Sequence, residues 1–147
     1  MPDSKPVQIA DALVAAIDAA AAGFSIVSFN CRRDWQPVID LADLSTLQLR
    51  VIPGPVQYEL EARTTSRAEV AIVIAIQQQA TTTAAADALD YFAEEVSEFV
   101  GVTATSAAQR PADALYMRHE VNDADRLGGV TLPQFAKLLR ITYRFFI

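Results

Sequence analysis

Apolar positions recur along this chain first with a helical period and then with the alternation of strands. Ile9, Leu13, Ile17 and Ala20 are spaced by three or four residues, which puts them on one face of a helix. Ser4 stands where a helix cap belongs, Pro6 fits the first turn because its missing N–H costs nothing there, and Gly23 supplies the stop. The opposite side carries Ala12, Ala15, Ala19 and Ala22. These favour helix, and they would also let another subunit pack closely. "FSIVSFN", residues 24–30, predicts a strand. "CRRDWQPVIDLADLST" then predicts an irregular connection with a short turn near Asp40 to Leu44.

"LQLRVIPG" predicts a strand with Leu47, Leu49 and Val51 on one face, closed by Pro53, Gly54 and Pro55. "VQYELEART" predicts a second, half-solvated strand. Tyr58, Leu60 and Ala62 should face in, and Gln57, Glu59, Glu61 and Arg63 out. In "EVAIVIAIQQQ" Val70, Ile72, Ile74 and Ile76 form one face and Ala71, Val73 and Ala75 the other. No charge interrupts the run from Val70 to Ile76, so this is the central strand, joined to its predecessor as a hairpin over residues 57–77.

A second helix is predicted over 84–100, with Thr82 or Thr83 as cap, Gly101 as stop, and Leu89, Phe92, Val96 and Phe99 as its buried stripe. Residues 103–135 read as a long irregular region inside one domain spanning 1–147, with "LYMRHEV" as a short strand within it. The last strand starts near Lys137. Leu139, Ile141, Tyr143, Phe145 and Ile147 share one face. Arg140, Thr142 and Arg144 share the other, with Phe146 at its end. The order predicts an α+β domain in two layers: a mainly antiparallel sheet of four to five strands with two amphipathic helices packed on one face.

Composition narrows the function. With 147 residues, 52% apolar and 20% charged, the chain can bury a core and is not disordered. A net charge of −6 counts against a nucleic-acid or anionic-membrane binder. Cys31 is the only cysteine, so no internal disulfide can form, which fits a reducing compartment. Asp11 and Asp18 interrupt the first helix, and the expectation is that no stretch reaches the ~20 apolar residues a membrane span needs. There is no signal-peptide pattern, so an untargeted soluble protein is expected.

A search for reaction chemistry returns nothing. His119 is the only histidine, and no Cys/His cluster has metal-ligand spacing. For His119 a solvated or hydrogen-bonded structural role outweighs catalysis. For Cys31 the expectation is an inert, half-buried thiol. Gly128 and Gly129 lack the strand–glycine–helix setting of a phosphate loop. No catalytic residue, cofactor or metal site is predicted.

One charge pattern goes beyond a solvated helix face. Asp87, Asp90, Glu94 and Glu98 recur at helical spacing with Glu95 beside them, and no Lys or Arg occurs between residues 80 and 109. Such a ridge loses stability through like-charge repulsion. Residues 1–109 hold six basic and fourteen acidic side chains, whereas residues 110–147 hold six basic and four acidic. The ridge would meet a basic patch on another copy, where the basic C-terminal third provides the opposite sign, or on another protein. Arg140, Arg144 and Phe146 on the outer face of the last strand would be the other half of the contact.

Taken together, "IADALVAAI", "PVIDLADLSTLQLRVIP", "EVAIVIAIQQQ", "ALDYFAEEVSEFV" and the closing "FAKLLRITYRFFI" resemble, in order and turn chemistry, tail-terminator or tail-completion proteins of tailed bacteriophages. The resemblance implies a structural neck protein of the virion, assembled in the host cytoplasm. It would form a ring, usually six-fold, on the head-proximal end of the tail tube, and join the tube to head-completion or connector proteins. It implies no catalytic residues, no cofactor, no membrane and no specific nucleic-acid binding, with DNA passing through the ring. The alternatives are a head-closure or head–tail adaptor, a small oligomeric cellular binding module, and an enzyme whose site forms between subunits around His119, Cys31 or the carboxylates.

Overall fold

The computed structural model describes residues 2–38, 41–62, 65–101, 111–123 and 134–146. Two helices, α1 (Lys5–Ala20) and α2 (Thr83–Gly101), accompany five strands: β1 (Asn30–Arg33), β2 (Gln48–Ala62), β3 (Thr65–Gln79), β4 (Leu115–Asp123) and β5 (Gln134–Phe146). The strands form one sheet in the order β1-β2-β3-β5-β4, antiparallel throughout except for the parallel β1–β2 pair. Residues 102–110 and 124–133, most of the predicted irregular region, lie outside the described residues, as do Ile147 and Asp40.

The core is a single slab between the helices and one sheet face. Leu49, Val51, Val70, Ile72, Ile74, Ile76, Leu139, Ile141 and Tyr143 rise from that face and meet Ile9, Leu13 and Ile17 of α1 and Leu89, Phe92 and Val96 of α2. Register explains the alignment: Val51, Ile74 and Leu139 form one cross-strand row, and Ile72 pairs with Ile141 in the next. β3 pairs on both sides, as its charge-free run from Val70 to Ile76 predicts. Ser4 occupies the α1 cap position, but its side chain makes no cap hydrogen bond. The segment Lys5–Gly23 is long and apolar enough to cross a membrane by length and composition, which corrects the expectation that no segment reaches that length. Its alanines raise the hydropathy past the two aspartates. In the fold the helix lies on the sheet with Val7, Ile9, Ala10, Leu13, Ala16 and Ile17 buried.

Three expectations are corrected. Residues 24–29 form no strand; β1 begins only at Asn30. Phe24 and Phe29 of this segment instead feed an aromatic cluster under α2. Phe24 stands edge-on to Phe92 and Phe99 at 5.7 Å each, and Phe29 lies 5.4 Å from Phe92. The Ser25 N–H donates to the Glu95 carboxylate at 3.0 Å instead of to a neighbouring strand. Second, Pro53-Gly54-Pro55 does not end a strand. β2 runs through it with a bulge between Pro53 and Val56. Gly54 is required there, since a Cβ would lie 2.1 Å from the Ala71 carbonyl oxygen. Third, Tyr58 pairs with Ala68 on the helix-side face, as alternation predicts, yet it is 68% exposed. Here β2 has run past β1, whose last paired residue is Arg33 opposite Val51.

Candidate assembly surface

Among the described residues, no helix lies on the second face of the sheet. At one end the connection after β1 crosses it. The Gln77 side-chain amide donates to the Val38 carbonyl at 3.0 Å and accepts from the Val38 N–H at 2.9 Å. Arg50, Ala75 and Gln77 are buried beneath. Over the rest of the face the rows follow from register. Glu59, Arg67 and Phe146 form the outermost row. Gln57, Glu69, Arg144 and Leu115 form the next, then Ala71, Thr142 and Arg118, and then Ile52, Val73, Arg140 and Glu120.

Charges alternate across these rows. Arg67 donates to Glu59 through Nε and Nη2, at 2.9 and 2.7 Å. Glu69 sits between two arginines, with Arg144 Nη2 at 3.1 Å and Arg118 Nη2 at 4.0 Å. Arg144 Nε is buried without a hydrogen-bond partner. Arg140 is exposed and, among the described residues, makes no ion pair or hydrogen bond. A shallow polar cavity of about 360 Å³ lies among Gln57, Glu69, Arg118, Glu120, Arg140 and Thr142. Two apolar side chains stand in the outer rows of the same face, Phe146, 63% exposed, and Leu115, also exposed.

The acidic ridge lies on the opposite side of the molecule. Asp87, Asp90, Glu94 and Glu98 are exposed on the outer side of α2, whose inner side faces the core. The ridge is not wholly uncompensated: Asp90 is ion-paired with Lys137 of β5, and Glu95 is turned to Ser25. The sequence-predicted residues therefore form two patches, one acidic on the helix layer and one arginine-rich on the back of the sheet. Among the described residues no ion pair joins them within one chain.

Sequence reasoning missed a hydrogen-bonded chain between α2 and β4. Ser97 Oγ lies 2.6 Å from His119 Nε2, and the Tyr116 hydroxyl lies 2.6 Å from His119 Nδ1. In a regular strand residues three apart point to opposite faces. The bulge between Tyr116 and Arg118 adds one residue, so Tyr116 and His119 both face the helices. Burial presses the His119 pKa below its ordinary value and raises that of Tyr116. Ser97 and His119 have the reach of a nucleophile and a base. The third group is a neutral phenol with no charge to stabilise an imidazolium, and the arrangement serves to fasten helix to strand. Gly101 closes over it, since a Cβ there would lie 2.3 Å from His119 Cε1. Cys31 is buried, and burial followed by the nearby Asp18 pushes its thiol up to about 12, so it stays protonated and unreactive at neutral pH. Among the described residues no His, Cys, Asp and Glu cluster could hold a metal ion.

No protein-family model and no curated protein sequence matches the chain. Among solved structures, a chain of the "virion of native gene transfer agent (GTA) particle" is similar. It is 20% identical, with 98% of this chain and 96% of that chain covered and a TM-score of 0.48. At that identity and degree of superposition the likeness does not fix a function.

Proposed function

We propose that this protein is a non-enzymatic structural subunit of a tailed, phage-like particle: a tail terminator that forms a ring, a hexamer, on the head-proximal end of the tail tube. The observation that carries the reading is the sheet face without helices. A two-layer domain normally turns such a face to solvent with mixed polar side chains. Here it holds four arginines in adjacent rows, one without a partner among the described residues, beside exposed Phe146 and Leu115. The matching acidic side chains stand on the far side of the same molecule. A ring is closed by head-to-tail contacts in which one surface meets a different one on the next copy. Complementary patches on opposite faces suit that geometry and do not suit a two-fold dimer. The sequence resemblance supplies the place in the particle, and the neighbours it implies are the tail-tube protein and a head-completion protein.

The test is to mix the purified protein with tail tubes of its own particle and image them by negative stain. The expected outcome is a ring capping one end of each tube, with tube length no longer increasing. Tubes that keep both ends bare at saturating protein would overturn the reading. Binding to head-completion protein with bare tube ends would assign the protein to the head-side adaptors instead.

A further inference from the structure

A second feature of the back of the sheet is independent of that reading. Arg32 and Arg50 are register partners on the parallel strands β1 and β2, so their side chains rise side by side. Adjacent like charges on one sheet face are destabilising. Arg50 is moreover only 4% exposed. A guanidinium has five N–H donors, and burying it is costly unless they are used. Arg50 uses one, a long hydrogen bond from Nη1 to the Leu49 carbonyl at 3.4 Å.

The nearest anion does not serve it. Asp34 Oδ2 lies 3.8 Å from Arg50 Nε and 3.7 Å from Arg32 Nη2, shared between the two and beyond hydrogen-bond reach of either. Asp34 is held back by its own backbone, because Oδ1 accepts the Trp35 N–H at 2.7 Å. In front of the two arginines opens a cavity of about 240 Å³, lined also by Asp34, Gln36, Pro37 and Asp43. Among the described residues the two guanidinium groups thus face a space with no carboxylate in hydrogen-bond range.

We propose that this cavity is a binding site for one carboxylate group, held between Arg32 and Arg50. The planar guanidinium fork matches a carboxylate in geometry. With Asp34 and Asp43 also on the lining, a carboxylate monoanion meets less repulsion there than a phosphate dianion. The volume admits a small carboxylic acid or the side chain of an Asp or Glu presented by a second copy.

The test follows the arginine Nε–H resonances by NMR while sodium acetate is added against sodium chloride at constant ionic strength. The expected result is a saturable shift of Arg32 and Arg50 with acetate and none with chloride. Arg32→Gln, at a side chain 60% exposed, should weaken acetate binding about tenfold, equivalent to about 1.4 kcal/mol. A dilution series without acetate separates the sources. Shifts that follow protein concentration assign the carboxylate to a second copy, and shifts seen with acetate alone assign it to a free acid. A response to acetate no different from chloride, with no concentration dependence, overturns the proposal. So does undiminished acetate binding in both Arg32→Gln and Arg50→Gln, or tighter binding of phosphate than of acetate. If Arg50→Gln does not fold, Arg32→Gln decides.

Discussion

His119 bridges Ser97 and Tyr116 as a neutral ring, and its pKa is lowered by burial. The unfolded chain therefore binds a proton more readily than the folded one in the window just below the ordinary histidine pKa of 6.5. Stability should be undiminished above that value and should fall as pH drops through the window, levelling off below the folded pKa. Urea unfolding at a series of pH values checks this, and because His119 is the only histidine, His119→Gln should flatten the slope. Gly101→Ala tests the same clip by steric means. In an open helix that exchange is stabilising. Here the new methyl would meet the His119 ring and the Tyr116 hydroxyl, at 2.8 Å from the latter. Overpacking of this kind costs about 1–3 kcal/mol, so the variant should melt below the parent. An unchanged or raised Tm would show that the ring moves aside freely.

Element by element, the parts with long, regular periodicity were legible in the sequence. α2, the central strand and the helix-side face of β5 follow from spacing alone, because burial against one partner layer writes a strict period into the residues. What was not legible depended on tertiary partners. Residues 24–29 carry strand-like composition, but their backbone is engaged by Glu95, seventy residues away. Tyr58 alternates correctly and is still exposed, because alternation gives the face and not the extent of the layer above it. The clip at His119 needed a bulge that no turn residue announces. The contrast between Ile74 and Tyr58 makes the point measurable. Ile74 is fully buried in β3, and Ile74→Ala should cost about 2–5 kcal/mol. Tyr58→Ser on the outrunning part of β2 should change stability by no more than about 0.5 kcal/mol. Equilibrium denaturation of the two variants checks it, and a large loss at Tyr58 would mean that something covers that strand in solution.

For the whole molecule, the decisive feature is that its two charged patches lie on opposite faces and cannot neutralise each other within one chain. The acidic ridge was readable from α2 periodicity, and so was the arginine face of β5. Their placement back to back was not, because it depends on which sheet face the helices cover. If the patches meet between copies, removing charge from either one should weaken assembly without touching the core. Arg140→Glu is the cleaner change, since Arg140 is exposed and has no partner among the described residues, whereas Arg144 holds Glu69 at 3.1 Å and its loss would leave that half-buried carboxylate with only Arg118 at 4.0 Å. On the helix side Asp87→Lys with Glu94→Lys is preferred to any change at Asp90, which is paired with Lys137. Each variant should keep the circular dichroism and Tm of the parent, because exposed substitutions away from packed features move stability by no more than about 0.5 kcal/mol. Each alone should reduce assembly, read by native mass spectrometry at low salt. An equimolar mixture of the two should also recover assembly, as an alternating ring in which each unreversed ridge meets an unreversed arginine face and each reversed ridge a reversed one. A single chain carrying all three changes places opposite signs at every contact again and should recover assembly. Recovery in that chain, with loss in both parents, is the outcome that ties the ridge on α2 to Arg140. Assembly that is indifferent to all of these changes would leave the patches as solvated surface and move the subunit contact elsewhere.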